Sequence, residues 1–478
     1  MEQLLHYVWK HKLYPLKPLT TTDGLPLEII DPGLHNPDAG PDFFNAKIKI
    51  NGVLWVGNIE IHLKTSDWYV HHHDQNKTYD TVILHVASDI DSKVYRSNGE
   101  AIPQMELHFP PYLWDNYVEL IKTSHYPACY RLIPHLPKIL LHSWMDSLRV
   151  ERFEQKTTQI KQRLERCNFD WERAFFLTLA RNFGFATNSD VFELWAQSIP
   201  LGAVNKHRDD LFQIEAIFFG QSGLLKEYML EENPSMLSEP WNELSEKPFD
   251  EPLDKSFNKS FNKPCDESWK EPRGILSEPS GNQAQDFNYP ERLWKEYAYL
   301  RHKFDLKASE NLRWKLLRLR PANFPHIRIA QLAKLYYSRQ GLLSQLLEAE
   351  TIEAVRKLLR VDTSAYWNTH YTFTEVSPCL TKTLSDRSID LLIINTVVPF
   401  LYAYGKHKEK ESLINRASQF LEKIKAENNF ITRMWNDCGL TAEHAGDSQA
   451  LIQLKKNYCD PKKCLFCRIG YEYFKKKE

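Results

Sequence analysis

Residues 40–86 read GPDFFNAKIKINGVLWVGNIEIHLKTSDWYVHHHDQNKTYDTVILHV. Asn51-Gly52 separates two runs of β-forming residues, the strongest short signal for a tight hairpin. Along the second run side chains alternate between faces, so Glu60, His62 and Lys64 share one side while Ile59, Ile61 and Leu63 share the other. Asp42 stands at the mouth of the first strand, and antiparallel pairing lays it across from that polar face. Just beyond come His71, His72 and His73, with Asp67 before them and His85 on the next strand.

Outward from this stretch, Leu4, Leu5, Val8 and Trp9 keep helical spacing and predict a first helix, ended by the Pro15–Pro18 segment. A strand is expected at Leu25–Ile30. The turn-forming run DPGLHNPDAGPD then delivers Asp42 to the next strand, Ala46–Ile50, which returns as Val53–Leu63. Thr81–Val86 and Gln104–Phe109 complete the strands. Residues 1–111 therefore read as an α+β domain, a mixed sheet with flanking helices, and the remainder as mostly α-helical.

Within that remainder, residues 112–230 form one helical region. Trp144 to Leu164 keeps the period of a long amphipathic helix, Asp170 reads as an N-cap, and Gly184 reads as a helix end. Residues 231–290, rich in Pro, Ser, Asn, Glu and Lys and containing the tandem KSFNKSFN, read as a linker or insertion lacking the apolar surface to order itself. Cys265 in it reads as an incidental thiol. Residues 291–478 are helical again and end in a cysteine cluster.

The chain has 478 residues, 42% of them hydrophobic, and a formal net charge of -1. Two to four folded domains fit that length, and near-neutrality excludes a protein that coats nucleic acid through overall charge. The acidic, amphipathic start lacks the pattern of a signal peptide, and no uninterrupted apolar run nears the roughly 20 residues of a membrane span. A cytoplasmic protein is expected. Eight cysteines are too few and too uneven for a disulfide framework.

Three groups carry chemistry. Asp42 and Glu60 form the carboxylate pair that a hard cation such as Mg²⁺ or Mn²⁺ takes from protein, with His62 or Lys64 placed to orient water or balance phosphate charge. The same alternation is also what an antiparallel strand with one wet face shows. His71 and His73, with His85, are candidate Zn²⁺ ligands or supports for the carboxylates. Cys459, Cys464 and Cys467, with Cys438 or His444 as fourth ligand, suit Zn²⁺ or a [4Fe-4S] cluster, and spacing does not separate the two. Finally, Arg313, Lys315, Arg318, Arg320 and Arg328, interleaved with Trp314 and Phe324, lie on a predicted basic helix broken at Pro321. Such a helix either follows a DNA or RNA backbone or is a solvated face.

Pro41-Asp42 and Glu60-Ile61-His62 resemble the two halves of the PD-(D/E)xK nuclease motif, with histidine where that superfamily usually has lysine. The order helix, three strands, connection, strand resembles its core. The resemblance implies a restriction-endonuclease-like sheet, Asp42 and Glu60 as metal ligands, and His62 or Lys64 in the lysine's role. Some nucleases resembling this superfamily also carry a cluster held by one distant cysteine and a tight group of three. Over nearly its full length, through GPDFFNAKI, GNIEIHLKTSDWYVHHH, RLRPANFPHIRIAQ and YCDPKKCLFCRIG, the chain resembles a bacterial family classed as a domain of unknown function, number 2851 in that series. The leading expectation is a metal-dependent nuclease. Its rivals are a nucleic-acid or protein binding scaffold with a structural metal or cluster, and a zinc hydrolase of another substrate.

Overall fold

The computed structural model describes residues 2–14, 18–232, 234, 288–309 and 312–476. The expected linker at 231–290, Cys265 included, lies almost wholly outside them. The chain forms two compact units: Met1–Arg149 with Asn428–Ala442 and Asp447–Glu478, and Val150–Glu427 with Glu443–Gly446. The first unit thus takes in the C-terminal cysteines, which the sequence places in a separate helical region.

The first unit is built on a mixed sheet. Its strands are β1 (Leu19–Thr20), β2 (Pro26–Asp31), β3 (Leu34–His35), β4 (Phe43–Ile50), β5 (Val53–Lys64), β6 (Val82–Asp89) and β7 (Gln104–Glu106). The order is β1-β2-β4-β5-β6-β7, with β3 paired to the end of β4. Pairing is antiparallel up to β5, while β5–β6 and β6–β7 are parallel. The helix α1 (Glu2–Lys10) buries Leu4, Leu5, Val8 and Trp9, as its spacing predicts, and packs on β5. Tyr473 and Phe474 of the C-terminal helix Arg468–Phe474 share that core, the Phe474 ring lying 5.1 Å from that of Tyr7.

Two local features set the register of the central hairpin. Between Phe43↔Ile59 and Ala46↔Gly57 the register slips by one residue, a β-bulge with Asn45 in the left-handed region at φ 56°. The extra residue lets Phe43 face the core along with Ala46, Ile48 and Ile50, and it brings Asp42 opposite Glu60 instead of Ile61. At Gly57 a Cβ would stand 2.4 Å from Ile83 Cγ2 and 2.8 Å from the Thr81 carbonyl oxygen, so only glycine admits β6 where it joins β5.

After β5 the chain turns through α2 (Asp67–Val70). Asp91 accepts hydrogen bonds from the Ser66 N–H and from the Thr65 and Ser66 hydroxyls, pinning that turn. Trp68 is fully buried and its indole N–H donates to the Tyr95 carbonyl. His72, at φ 59°, breaks the helix into the single turn His73–Gln75. Further on are α3 (Pro111–Lys122) and α4 (Lys138–Arg166), the latter passing from the first unit into the second at residue 149.

The second unit is helical around one large core. Asp170 caps α5 (Trp171–Phe183) by accepting the Arg173 N–H, and Gly184 ends it, both as expected. Residues 312–320 correct an expectation: they form no helix. Asn188 holds the Lys315 backbone through both its amide groups, and the Trp314 indole donates to the Ser222 carbonyl, so the stretch is pinned in an irregular form. Among the described residues, one helical run, Asp386–His407, is long and apolar enough to cross a membrane by length and composition, though polar residues interrupt it. It is 72% buried within the fold, the position of a core helix.

Candidate metal centre

The polar face of β5 is not a wet face. Glu60 is 4% exposed and His62 1%, while Ile59 and Ile61 are fully buried on the opposite side. Glu60 Oε2 accepts the Asp42 N–H at 3.1 Å, and Asp42 Oδ2 accepts the Ile61 N–H at 2.9 Å. These reciprocal bonds lock the two carboxylates side by side. His6 of α1, which sequence reasoning missed, lies with its Nε2 3.3 Å from Asp42 Oδ2. Burial acts to lower the His6 pKa, but the hydrogen bond and charge of Asp42 outweigh it and raise it.

The other side of Glu60 faces imidazoles. Its Oε1 is 3.5 Å from His62 Nε2 and 3.3 Å from His73 Nε2, and His71 Nδ1 is 3.1 Å from the same His62 Nε2. The three imidazole nitrogens all lie within 4.8 Å of one another. A tetrahedron of donors about 2.0–2.1 Å from a metal has edges of about 3.3–3.4 Å, so the three histidines, drawn slightly closer, are a candidate cage for one ion, with Glu60 Oε1 at its border. The donors come from one β5 face and from the two ends of the His71–His73 turn, which the left-handed His72 folds back over the sheet.

Supporting contacts fix the rings. His62 Nδ1 lies 2.8 Å from His85 Nε2, so a His62 offering its Nε2 lone pair to an ion would donate its Nδ1 proton to His85. The register Glu60↔His85 on parallel β6 puts that ring there. His85 Nδ1 is buried without a hydrogen-bond partner. Tyr79 stacks on His73 at 3.8 Å, and Trp68 meets His73 and His85 edge-on.

Electrostatics follow from this crowding. Burial, then the surrounding imidazoles, press the His62 pKa down to about 2, and burial first presses His85 down to about 3. Both rings are therefore neutral with a lone pair to offer. Burial and the adjacent Asp42 push Glu60 up to about 9. The pocket favours the neutral carboxyl until a positive charge enters.

Of the other expected site residues, Lys64 leaves this cluster. Its side chain is 58% exposed and its Nζ lies 3.9 Å from Asp89 Oδ2. Arg313, Lys315, Arg318 and Arg320 are exposed. Arg328 is buried, donating to Gln331 and Asn323 and covering the Phe185 ring at 4.5 Å, so it is removed from any nucleic-acid surface.

The C-terminal cysteines are brought together, but with a different fourth member. Cys459, Cys464 and Cys467 line a cavity of about 300 Å³ together with Cys129, from the loop after α3. Burial pushes the Cys464 thiol up to about 11, and burial with the neighbouring thiols raises Cys129 and Cys459 further. Cys438 instead ends the helix Phe430–Asp437 and packs, half-buried, in the cluster around Trp435. His444 belongs to the second unit, its backbone bridged to Lys425. Cys129 sits 330 residues from Cys459, and no local spacing signals the pairing.

No curated protein and no solved structure matches the chain. A family model described as "Protein of unknown function (DUF2851)" matches residues 2–262 and 273–430. The chain belongs to that family.

Proposed function

We propose that the chain is a metal-dependent hydrolase of phosphodiester bonds in nucleic acid, working at an ion held by Glu60, His62, His71 and His73. The observation that carries this reading is the run of contacts from His71 to His62 to Glu60 to His73, at 3.1, 3.5 and 3.3 Å, with one nitrogen of each of the three imidazoles within 4.8 Å of the others, beside the Asp42–His6 pair. Three imidazoles and one carboxylate suit Mn²⁺ or Zn²⁺ better than Mg²⁺. A bound divalent ion would supply a nucleophile at neutral pH and offset charge on the phosphoryl group. Glu60 and the histidines hold and orient; the Asp42–His6 pair is the neighbouring group able to take a proton. What supports nucleic acid as substrate is the resemblance of Pro41-Asp42 and Glu60-Ile61-His62 to the PD-(D/E)xK motif, together with the helix-and-mixed-sheet frame around it. Exposed Arg313, Lys315, Arg318 and Arg320 are candidate phosphate contacts.

A second reading is favoured by the number of donors. Four protein ligands close a tetrahedral zinc completely, the arrangement of structural sites. The chain would then be a binding scaffold with a zinc-stapled turn.

The test is to measure metal content of the purified full chain and to assay cleavage of single- and double-stranded DNA and RNA with Mn²⁺, Zn²⁺ or Mg²⁺. Cleavage supported by Mn²⁺ or Zn²⁺ and lost in His71→Ala, a change at an exposed side chain, with the fold checked by circular dichroism, is the expected result. Tightly held zinc with no cleavage of any substrate transfers the case to the scaffold. His71→Ala cutting as well as wild type removes this site from the chemistry.

A further inference from the structure

We propose that Cys129, Cys459, Cys464 and Cys467 hold a cuboidal iron–sulfur cluster of the four-iron, four-sulfide type in the cavity they line. Three features lead to it. The four thiols come from two chain segments and face one space: the loop after α3 contributes Cys129, while Cys459 ends the turn Lys455–Cys459 and Cys467 caps the helix Arg468–Phe474. Secondly, that space measures about 300 Å³. A zinc tetrahedron with sulfur at about 2.3 Å has sulfur–sulfur edges of about 3.8 Å and leaves no cavity at its centre. A polyatomic guest is what such a volume admits. Thirdly, Leu120, Pro127 and Ala128 give part of the wall an apolar surface, with Ser124, Asp460 and Lys462 on the rest, and apolar cover limits solvent access to a cluster's sulfides.

The local fold is shaped to bring Cys464 in. At Gly470 a Cβ would lie 2.0 Å from the Cys464 carbonyl oxygen, so glycine is required where the C-terminal helix packs on the Cys464 turn. Other bonds already draw the two segments together: Tyr126 donates to Asp460 at 2.8 Å, and the Asn116 amide donates to the Tyr473 carbonyl at 3.3 Å. A four-thiolate guest would cross-link positions 330 residues apart, a closure worth more the longer the loop it spans. The inference is independent of the histidine cage and of any nuclease activity.

The experiment uses the full chain purified without oxygen, or loaded with ferrous iron and sulfide under reductant. Iron and acid-labile sulfide in equal amounts, with broad visible absorbance, are expected. Cys129→Ser should lose most of that iron while Cys438→Ser and Cys167→Ser keep the wild-type content. A colourless protein with zinc in place of iron, no uptake at all, or a Cys129→Ser variant as iron-rich as wild type overturns the proposal, as does loss of iron in Cys438→Ser. Should Cys129→Ser fail to fold, electron paramagnetic resonance of the reduced wild-type chain decides: the signal of a reduced four-iron cluster supports it and its absence from iron-loaded protein refutes it.

Discussion

Glu60 in the first unit and Glu215 in the second are both buried carboxylates, 4% and 1% exposed, and burial is the leading cause of a raised pKa in each, to about 9 and about 7. Their company differs. Glu215 is closed off by neutral donors: the Tyr289 hydroxyl at 2.5 Å on Oε2, and the Ser364 hydroxyl at 2.9 and 3.1 Å on the two oxygens. Each acceptor has its proton, so the group is a finished piece of core. Glu60 has one oxygen satisfied by a backbone N–H, and the other faces His62 Nε2 and His73 Nε2, groups that can offer either an N–H or a lone pair. Each neutral imidazole has one N–H and one lone pair, so His73 can serve Oε1 and His71 can serve His62 Nε2. Burial by itself marks nothing. Convergence of several groups that can each turn a lone pair to the same point is what marks a candidate place for a cation.

The strongest way to break this contrast is the same substitution at both positions. Glu60→Gln removes the one anionic donor of the cage and should lower metal-dependent cleavage about a thousand-fold or more, because several kcal/mol of electrostatic stabilisation depend on a properly held ion. Glu215→Gln should leave cleavage at the wild-type level. Equal losses in parallel assays would show that Glu60 is as structural as Glu215.

Glu215 should declare itself through stability instead. Its folded pKa of about 7 lies above the ordinary 4.5, so the fold binds this proton more tightly than the unfolded chain does. The contribution is complete below pH about 4.5 and is lost as pH rises through about 7, a span worth about 3 kcal/mol at most. Glu215→Gln cannot titrate, so its urea midpoint relative to wild type should climb between those pH values. A constant offset across the window would mean that Glu215 is ionised in the fold at all these pH values.

Only the Glu60 side of this contrast is legible in the sequence, for local reasons; nothing in the sequence singles out Glu215. Alternation along β5 and the Asn51-Gly52 turn identify the hairpin that joins Glu60 and His62, because both follow from backbone periodicity. That Asp42 lies across from the polar face of β5 is readable from the hairpin, but its position opposite Glu60 depends on the bulge at Asn45, which the sequence does not signal. Spacing showed three of the four cavity cysteines. It could not show Cys129 or His6, since each reaches its site through packing of elements distant in sequence. The basic segment misled for a related reason: helical propensity suggested a helix over 313–320, and the Asn188 amide overrode it with a tertiary contact.

A smaller effect tests how the cage is built. His85 touches no candidate ion but lies 2.8 Å from His62 Nδ1 and can accept its proton, which would fix the tautomer and orientation of a cage ring. Such supports are worth about 10- to 100-fold in metal affinity. His85→Phe should weaken metal binding by that amount, read by competition with a chelating dye, while His85→Gln, able to accept the same hydrogen bond, should recover part of it. Equal affinities in both variants and wild type would mean that the His85 contact does not orient His62.

The smallest expected effect comes from Lys64, and it tests where the chemistry sits on β5. Periodicity alone puts Lys64 on the same face as Glu60 and His62, and the nuclease resemblance offers it a catalytic part. The structure instead leaves it at the solvent end of the strand beside Asp89, where an exposed pair contributes little. Lys64→Ala should therefore change stability by no more than about 0.5 kcal/mol and leave cleavage within about twofold of wild type. A large loss of cleavage in a stably folded, fully metal-loaded Lys64→Ala would put the reacting phosphate at the strand's end and reduce the imidazole cage to a structural staple. Glu60 would then resemble Glu215 more than it differs from it.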